Sequence, residues 1–590
     1  MARNVSAEMG RLAPWLFGWM FCLPFLLPLH GLPLPSFYAE WLAMLLGLAA
    51  CAALWLAGGA LTVPRIALAP LALLAVLALQ YGLGMFAYGA TALMLALVLL
   101  WCALLMVAGR MLAAQHDVAL PCVFLARFLL AGGVLNALAG LLQYAGWWAV
   151  FAPLVAEPMP LARVGVYGNL AQQNHFATHL ALALASAVYL TLSRQLTRGW
   201  LAVWAAILLL ALLLSGSRSG VLYVLYLAGL LLCLRQQPWP AMRRPVWAVL
   251  LVGIALLCWL ALQSGPGPLA RWATLPEALG VRSFLWRHAL AMFFDKPVLG
   301  VGFDAFAAQL VTQIDAAGQI NRWGIDQYAH NLPLQILAWS GLCGFVALVV
   351  PGWGFVRRQL LIPLSLPRMW FCAVTGMLLI HSMLEQPLFY AWFLAMFALL
   401  LGMFESSAWQ CPMPRGIKAV VTVVLVLGLG LLLKSAADYG QIAAYLYPDP
   451  APRTMSAPAR QYRHQVLLDL HRTSLFAPLI ELAAPGDLLP DSAPVQERIA
   501  FNLRVMHYAP VAAVELRHAL LLAEAGHLPQ AKAQLQRTML VWPRERASSL
   551  QRIHAIATQD PHTYGELASW AEIKFLKLPA DGDASHSFAP

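Results

Sequence analysis

Charge is scarce in this chain. Only 11% of its 590 residues are Asp, Glu, Lys or Arg, while 61% are hydrophobic. A soluble domain carries about 25% charged residues, so a soluble multidomain protein is excluded. Cysteine chemistry is thin too. None of the nine cysteines falls in residues 264–331 or 437–590, and no CxxC occurs. Neither a disulfide staple nor a thiolate metal site is therefore expected in the two longest polar stretches. Paired acids are almost missing. The sole D-x-D is Asp581-Gly-Asp583, near a C-terminal end expected to be disordered, and Trp147-Trp148 is not followed by an acid. Gly300-Val301-Gly302 belongs to no GxGxxG and follows no strand pattern, which removes the dinucleotide fingerprint. No basic patch is interleaved with aromatics on a soluble face, so nucleic acid is not an expected partner.

What the chain does have is apolar runs of roughly 20 residues, the length that crosses a bilayer core. About 13 transmembrane helices are expected, near 12–29, 37–58, 66–86, 89–109, 127–146, 174–193, 199–214, 219–234, 246–263, 332–352, 369–384, 388–404 and 418–436. The net charge of +11 fits membrane topology. With the N-terminus in the cytoplasm, the cytoplasmic loops collect the basic residues from Arg3 and Arg11 to Arg357, Arg358, Arg368, Arg415 and Lys418. The short outer loops hold only Arg163 and Arg218, as the positive-inside rule requires. The fold class is thus all-α: a polytopic membrane helix bundle, residues 1–436, with a long outer loop at 264–331. Residues 437–590 form an outer, helical C-terminal domain. Within it, residues 516–543 read as two antiparallel helices around Gly526, either a single tetratricopeptide-type repeat or a generic hairpin.

Polar residues crowd the outer helix ends, where charge is costly and tends to be functional. The segment 167–180 places Gln172, Gln173, Asn174, His175 and His179 within two turns. Neutral amides suit sugar hydroxyls, and serve equally to cap a helix. In Ser215–Gly220, a helix start beside Arg218 makes a phosphate site, or only a tight turn with a snorkelling arginine. Arg282, Trp286 and Leu290 lie along one helical stripe, expected on the membrane surface. His330 stands before an apolar helix that Asn331 can cap and Pro333 can open. The positive end of that helix should keep His330 neutral near pH 7, and a neutral imidazole can act as a general base. An interfacial histidine without a catalytic role is the commoner case. His381, Glu385 and Tyr390 mark another outer turn, readable as a packed hairpin with one buried carboxylate.

The order of these clusters resembles the O-antigen ligase and polymerase superfamily and, within it, the PglL-type protein glycosylation ligases. The resemblance spans about residues 10–545. It rests on Arg218 in its Ser–Arg–Ser turn, on Arg282, Trp286 and the Pro297–Gly302 run, and on His330, Asn331 and Gly341. Gly168, Asn169, Gln172, Asn174 and His175 match the protein-ligase branch. Gln386 departs from the pattern, where an aromatic residue is expected. The resemblance implies metal-independent transfer of a glycan from undecaprenyl pyrophosphate to a Ser or Thr hydroxyl, without a cofactor. Arg218 and Arg282 would hold the pyrophosphate, and His330 would be the catalytic base. Gln172, Asn174, His175, Asn331, Glu385 and Tyr390 would position glycan or acceptor. The implied partners are the undecaprenyl-pyrophosphate-linked oligosaccharide, an acceptor protein such as pilin, and the lipid bilayer. The implied location is the bacterial inner membrane, with the chemistry on the periplasmic side. Ligation of O-antigen to a lipid core, or polymerisation of its repeats, would use the same arginines and histidine. A transporter would need midplane polar residues and internal repeats, and a metal-dependent glycosyltransferase an outer acidic pair. The transporter features are absent, and the sole acidic pair, Asp581–Asp583, lies at the C-terminal end expected to be disordered.

Overall fold

The computed structural model describes residues 2–576, apart from 59, 116, 159–164, 235–239, 263–274, 319, 413–414 and 448–454. Arg163, Arg235 and the Asp581–Asp583 motif lie outside the described residues. The molecule is helical, and its one small sheet among the described residues pairs Leu61–Pro64 antiparallel with Ala408–Cys411. Each expected span falls on a helix. Among the described residues, seven helices are long and apolar enough to cross a membrane, and Arg198–Leu214, Ser219–Cys233 and Ala391–Phe404 are shorter apolar helices.

Gln173–Leu192 is the central helix, with its membrane-length window wholly buried. Its alanines at 177, 181, 183, 185 and 187 let neighbouring helices come close, as small residues do where lipid gives no hydrophobic drive. Gly89–Gln115 and Ala391–Phe404 approach just as closely. A Cβ on Gly402 would collide with the backbone carbonyl of Met106, and one on Gly109 with that of Leu399.

Several boundaries differ from expectation, three of them with consequences for the fold. The first helix is Ala2–Met20, not 12–29, and a 3₁₀ turn at Leu23–Phe25 follows. Pro24 and Pro28 lack the N–H that a continuing helix needs. Arg415–Leu446 runs past residue 436, so no break in secondary structure occurs at 437. Leu332–Leu360 continues to Leu360 but is interrupted at Gly341 (φ 57, ψ −154).

That interruption is where the long loop docks. Residues 297–302 run along the broken helix, backbone to backbone. Val301 N donates to Ala338 O (2.8 Å), Gly302 N to Trp339 O (3.0 Å), Leu342 N to Pro297 O (2.8 Å) and Cys343 N to Val298 O (3.1 Å). The fully buried Gln80 joins both partners, donating from Nε2 to Leu299 O and Trp339 O at 2.7 and 2.9 Å. The Pro297–Gly302 run and Gly341 are therefore halves of one joint. A Cβ on Gly300 would meet Ala338 O at 2.5 Å, and one on Gly341 would meet Val298 O at 2.5 Å.

Helices Leu275–Asp295 and Phe306–Ala317 build the loop's own core from Leu285, Ala289, Met292, Leu310 and Val311, closed by Val541 from the C-terminal region. Asn321 N donates to Leu540 O at 2.9 Å. Tyr88 Oη donates to Glu481 Oε2 at 2.7 Å, and Arg504 pairs with the same carboxylate at 2.8 Å. The C-terminal helices thus tie the loop to one end of the bundle. Ala512–Glu524 and Leu528–Val541 form the hairpin expected around Gly526, and Arg546–Gln559 and Pro561–Phe575 extend it.

Candidate active site

The 167–180 segment divides into a brace and a working face. Gly168 N donates to Gln143 Oε1 (2.9 Å) and Asn169 N to Asn136 Oδ1 (2.8 Å). Asn169 Nδ2 donates to Leu26 O and Leu154 O, both at 2.8 Å. His179 stacks on Phe25 with centroids 4.0 Å apart. These three are structural. Gln172 is the N-cap of the central helix, its Oε1 accepting from His175 N at 2.5 Å. Its Nε2 donates across the molecule to Glu385 Oε2 at 2.8 Å. Asn174 Nδ2 donates to Glu385 Oε1, and Asn174 Oδ1 accepts from Ser217 Oγ at 2.7 Å.

Glu385 is the junction. It sits in the turn after Leu366–Ser382, with 12% of its side chain exposed, and His381 Nε2 faces its Oε2 at 3.3 Å. Burial pushes the carboxyl up. The bond from His381 and the charges of His381, His175 and His330 outweigh burial and hold it well below the usual carboxylate range. The His175 ring packs edge-on against Tyr390 at 4.4 Å and lies 5.5 Å from His381. His175, His381 and Glu385 offer ligand atoms within 4.8 Å of one another. Two imidazoles and a carboxylate are a donor set able to hold a divalent transition metal.

Of the two arginines, Arg282 meets the same turn, and Arg218 lies close enough to feel its charge. Arg282 Nε donates to Leu384 O at 3.3 Å. Arg218 opens the Ser219–Cys233 helix, and its Nη1 is buried without a hydrogen-bond partner. Burial, and then the charge of Arg282, lower its pKa. Among the described residues no carboxylate pairs with either arginine, whereas Arg358, Arg463, Arg498 and Arg504 all have one. Two neighbouring cations beside a helix N-terminus form a ready anion site.

His330 adopts φ +52, a strained conformation for a non-glycine residue that costs about 1–3 kcal/mol. Its Nε2 is 2.8 Å from Asp326 Oδ2, and Asp326 Oδ1 accepts from Tyr328 N at 3.1 Å. Burial lowers the imidazole pKa. The Asp326 bond, then the charges of Asp326 and Glu385, override burial and Arg282, and the net shift is upward. The helix end alone disfavours the imidazolium, whereas Asp326 favours it. Asn331 caps the next helix, its Oδ1 accepting from Leu334 N at 3.2 Å. Its Nδ2 donates to Met383 O at 3.4 Å. His330, Asn331 and Glu385 line one narrow cleft with Tyr328, Gln335 and Gln386. Eight of the candidates, Gln172, Asn174, His175, Arg282, His330, Asn331, Glu385 and Tyr390, thus gather around residues 381–390, and Arg218 lies beside Arg282.

Comparison with known proteins divides along the same parts. Residues 166–190, with Gln172, Asn174 and His175, match a model described as protein glycosylation ligase. Residues 203–349, with Arg218, Arg282 and His330, match O-antigen ligase. Residues 369–554, with Glu385 and Tyr390, match the C-terminal part of a virulence factor membrane-bound polymerase. Over these three segments the chain is similar to O-antigen ligases and protein glycosylation ligases. It is 24% identical over 438 residues to the general O-oligosaccharyltransferase of Acinetobacter baylyi, covering 71% of this chain and 74% of that one. It is 25% identical over 252 residues to the ComP-specific O-oligosaccharyltransferase of the same species, covering 40% and 44%. With relatives named O-oligosaccharyltransferases and seven apolar helices of membrane length, the protein is a membrane-bound glycosyltransferase.

Several residues around this site carry little signal in the sequence. Gln80 is a lone amide in an apolar run, and an amide at such a position needs a partner, which could mark it. Asp326 and Gln335 lie four residues either side of His330–Asn331, too close to that motif to stand out from it. Ser217 reads only as part of a tight turn. His381 stands out, but its link to Thr178 Oγ1 at 2.8 Å spans two distant segments.

Proposed function

We propose that this protein is a protein O-oligosaccharyltransferase of the bacterial inner membrane. It transfers a preassembled glycan from undecaprenyl pyrophosphate to Ser or Thr hydroxyls of periplasmic proteins such as pilin. In this reading the N-terminus is cytoplasmic, and the end of the bundle with the arginines, His330 and the C-terminal helices faces the periplasm. Residues 1–436 act as the membrane ligase domain and 437–590 as a periplasmic helical domain. The observation that carries the reading is the half-buried, acid-free Arg218–Arg282 pair, of which Arg282 is held by the turn that also lines the His330 cleft.

The chemistry follows from that pairing. The acceptor oxygen attacks the anomeric carbon and forms the new glycosidic bond. The bond from that carbon to the phosphate oxygen breaks, and undecaprenyl pyrophosphate leaves with the electron pair. Arg218 and Arg282 stabilise its growing charge. His330, held through Nε2 by Asp326, receives the acceptor proton on Nδ1. Direct attack inverts the anomeric centre. Gln172 and Asn174, fixed by Glu385, position glycan or acceptor, with His175, Asn331 and Tyr390 around them. Replacing either arginine or the histidine by alanine should cost on the order of 10²-fold or more in rate.

The test is expression in a bacterium that makes an undecaprenyl-linked glycan and lacks its own ligases, with a pilin coexpressed and both pilin and lipopolysaccharide blotted for glycan. Glycan on pilin that disappears in His330→Ala is the expected result. Glycan on the lipid core alone would make the protein an O-antigen ligase using the same residues. A ladder of repeats on the carrier would make it a polymerase.

A further inference from the structure

Of the three residues expected in a stripe on the membrane surface, Leu290 alone points outward. Arg282 bonds to Leu384 O, and Trp286 Nε1 is buried. Helix Leu275–Asp295 is turned so that Leu285, Ala289 and Met292 enter the loop's own core. Its opposite side presents Leu279, Leu290 and Phe294, all exposed, within about 60° of arc. Phe294 is 72% exposed, and Val298, just past the helix end, is 60% exposed.

The joint at Gly341 shows what covers these side chains. Leu342 N donates to Pro297 O at 2.8 Å and Cys343 N to Val298 O at 3.1 Å, so Val298 is pinned beside Leu342. Leu342, Val346, Val350 and Trp353 are exposed along one face of a membrane-length helix, a face that lipid must cover. The bare surfaces of the helix and of the loop therefore meet at the joint. Helix length gives the depth. Arg357, exposed in the last turn, marks one boundary of the hydrocarbon. Leu342 stands 15 residues before it, about 22 Å along the helix, against a core of about 30 Å. The joint thus lies inside the apolar layer, near the other boundary. Arg287, Asp295 and Lys296 are exposed on the same stretch, as suits a boundary where basic side chains reach headgroups while their apolar neighbours enter the acyl region.

We propose that the outward face of Leu275–Asp295, together with Val298, is a phospholipid-binding surface seated in the leaflet at this end of the bundle. Leu279, Leu290, Phe294 and Val298 lie among the outer ends of the acyl chains, Arg287 and Lys296 meet headgroup phosphates, and Asp295 stays at the wet rim. A protein partner would have to reach Val298 within the lipid layer. The loop is then a membrane-bound element in its own right, and this contact stands independently of the transferase reading. It also fixes a height: Arg282 is 12 residues from Phe294 on the same helix, about 18 Å along its axis, so the seat sets where Arg282 stands relative to the leaflet.

The experiment places the photocrosslinker benzoyl-phenylalanine at position 294 of the full-length protein, in nanodiscs of phosphatidylethanolamine and phosphatidylglycerol, and identifies the adducts by mass spectrometry after irradiation. Position 346 on the membrane-length helix is the lipid-facing reference. Position 573, 83% exposed in the C-terminal region, is the water-facing one. Burying one phenylalanine favours the seated state by about tenfold or more, so phospholipid adducts at 294 should exceed those at 573 by about that factor and approach those at 346. The probe at position 290, one turn closer to Arg282, should give lipid adducts as well, which guards against a disturbance peculiar to 294. Lipid adducts at 294 and 290 no more frequent than at 573 overturn the proposal. A protein adduct at 294, to a second copy of the chain or to the nanodisc scaffold in place of lipid, overturns it too and makes the face a protein interface.

Discussion

The joint between Gly341 and residues 297–302 is open to a quantitative test by Gly341→Ala. At φ 57 and ψ −154 the backbone lies in territory that side chains avoid, a cost of about 1–3 kcal/mol. The added Cβ would lie 2.5 Å from both Val298 C and Val298 O and 2.6 Å from Pro297 O. All three are backbone atoms, so no rotamer change relieves the clash. Relief requires the segments to part, breaking Leu342 N–Pro297 O and Cys343 N–Val298 O. Each is worth about 0.5–1.5 kcal/mol net, and more if its groups stay buried and unpaired. The sum is about 2–6 kcal/mol, a large part of the ordinary margin of about 5–15 kcal/mol. Gly352→Ala is the control: the same helix, and nothing within 4 Å of the new Cβ. Thermal unfolding of the purified proteins in one detergent should show Gly341→Ala melting well below wild type and Gly352→Ala at or above it. Glycan transfer should fall with the first, because the loop also carries Arg282. If Gly341→Ala melts with wild type, the joint does not bear the load argued for it.

Asp326→Asn tests how His330 is held. Asp326 raises the folded pKa of His330, and the base works when neutral. Transfer by wild type should therefore rise with pH through a midpoint above the ordinary histidine value of about 6.5. The Asn variant should shift that midpoint to lower pH and lower the plateau rate; an unmoved midpoint would discount the dyad. Glu385 is held below its ordinary value, so its contribution to stability is complete above about pH 4.3 and is lost as pH falls beneath it. Melting curves should show that acid-side decline in wild type, and Glu385→Gln should be flatter there and less stable at neutral pH. Exhaustive chelation should leave transfer intact; activity lost on chelation and restored by a divalent ion would recruit His175, His381 and Glu385 as its ligands.

The membrane helices are legible in the sequence because a bilayer demands long apolar runs with little regard to what packs around them. Their ends are less so. Pro24 and Pro28 stop the first helix inside a run that hydropathy alone carries to residue 29, and Arg415–Leu446 keeps helical geometry after its hydropathy falls. The break at Gly341 has no local cause, since it exists to receive a segment about forty residues earlier. The site shows the same division. Its residue types stand out one cluster at a time, but Glu385 holds Gln172 and Asn174 from 213 and 211 positions away, and no spacing rule reaches that far. The direction in which the His330 pKa moves is hidden for a related reason. A helix end is visible in the sequence, whereas the turn that brings Asp326 onto the ring is not.

The broken helix also bears on how the chain is made. Around Gly341 the N–H and C=O groups that a continuous helix would satisfy internally are taken up by residues 297–302 and by Gln80. Inside a bilayer, unpaired backbone groups cost several kcal/mol each. A Leu332–Leu360 helix inserted by itself would face lipid with that gap open, or close it by straightening into a different register. Both partners precede it on the ribosome. The third helix and the loop are already synthesised when the broken helix emerges, so its insertion can follow their lead. Nascent chains released just after residue 360 should already protect this joint from hydrogen exchange, whereas a chain begun at residue 303 should not recover it at any length.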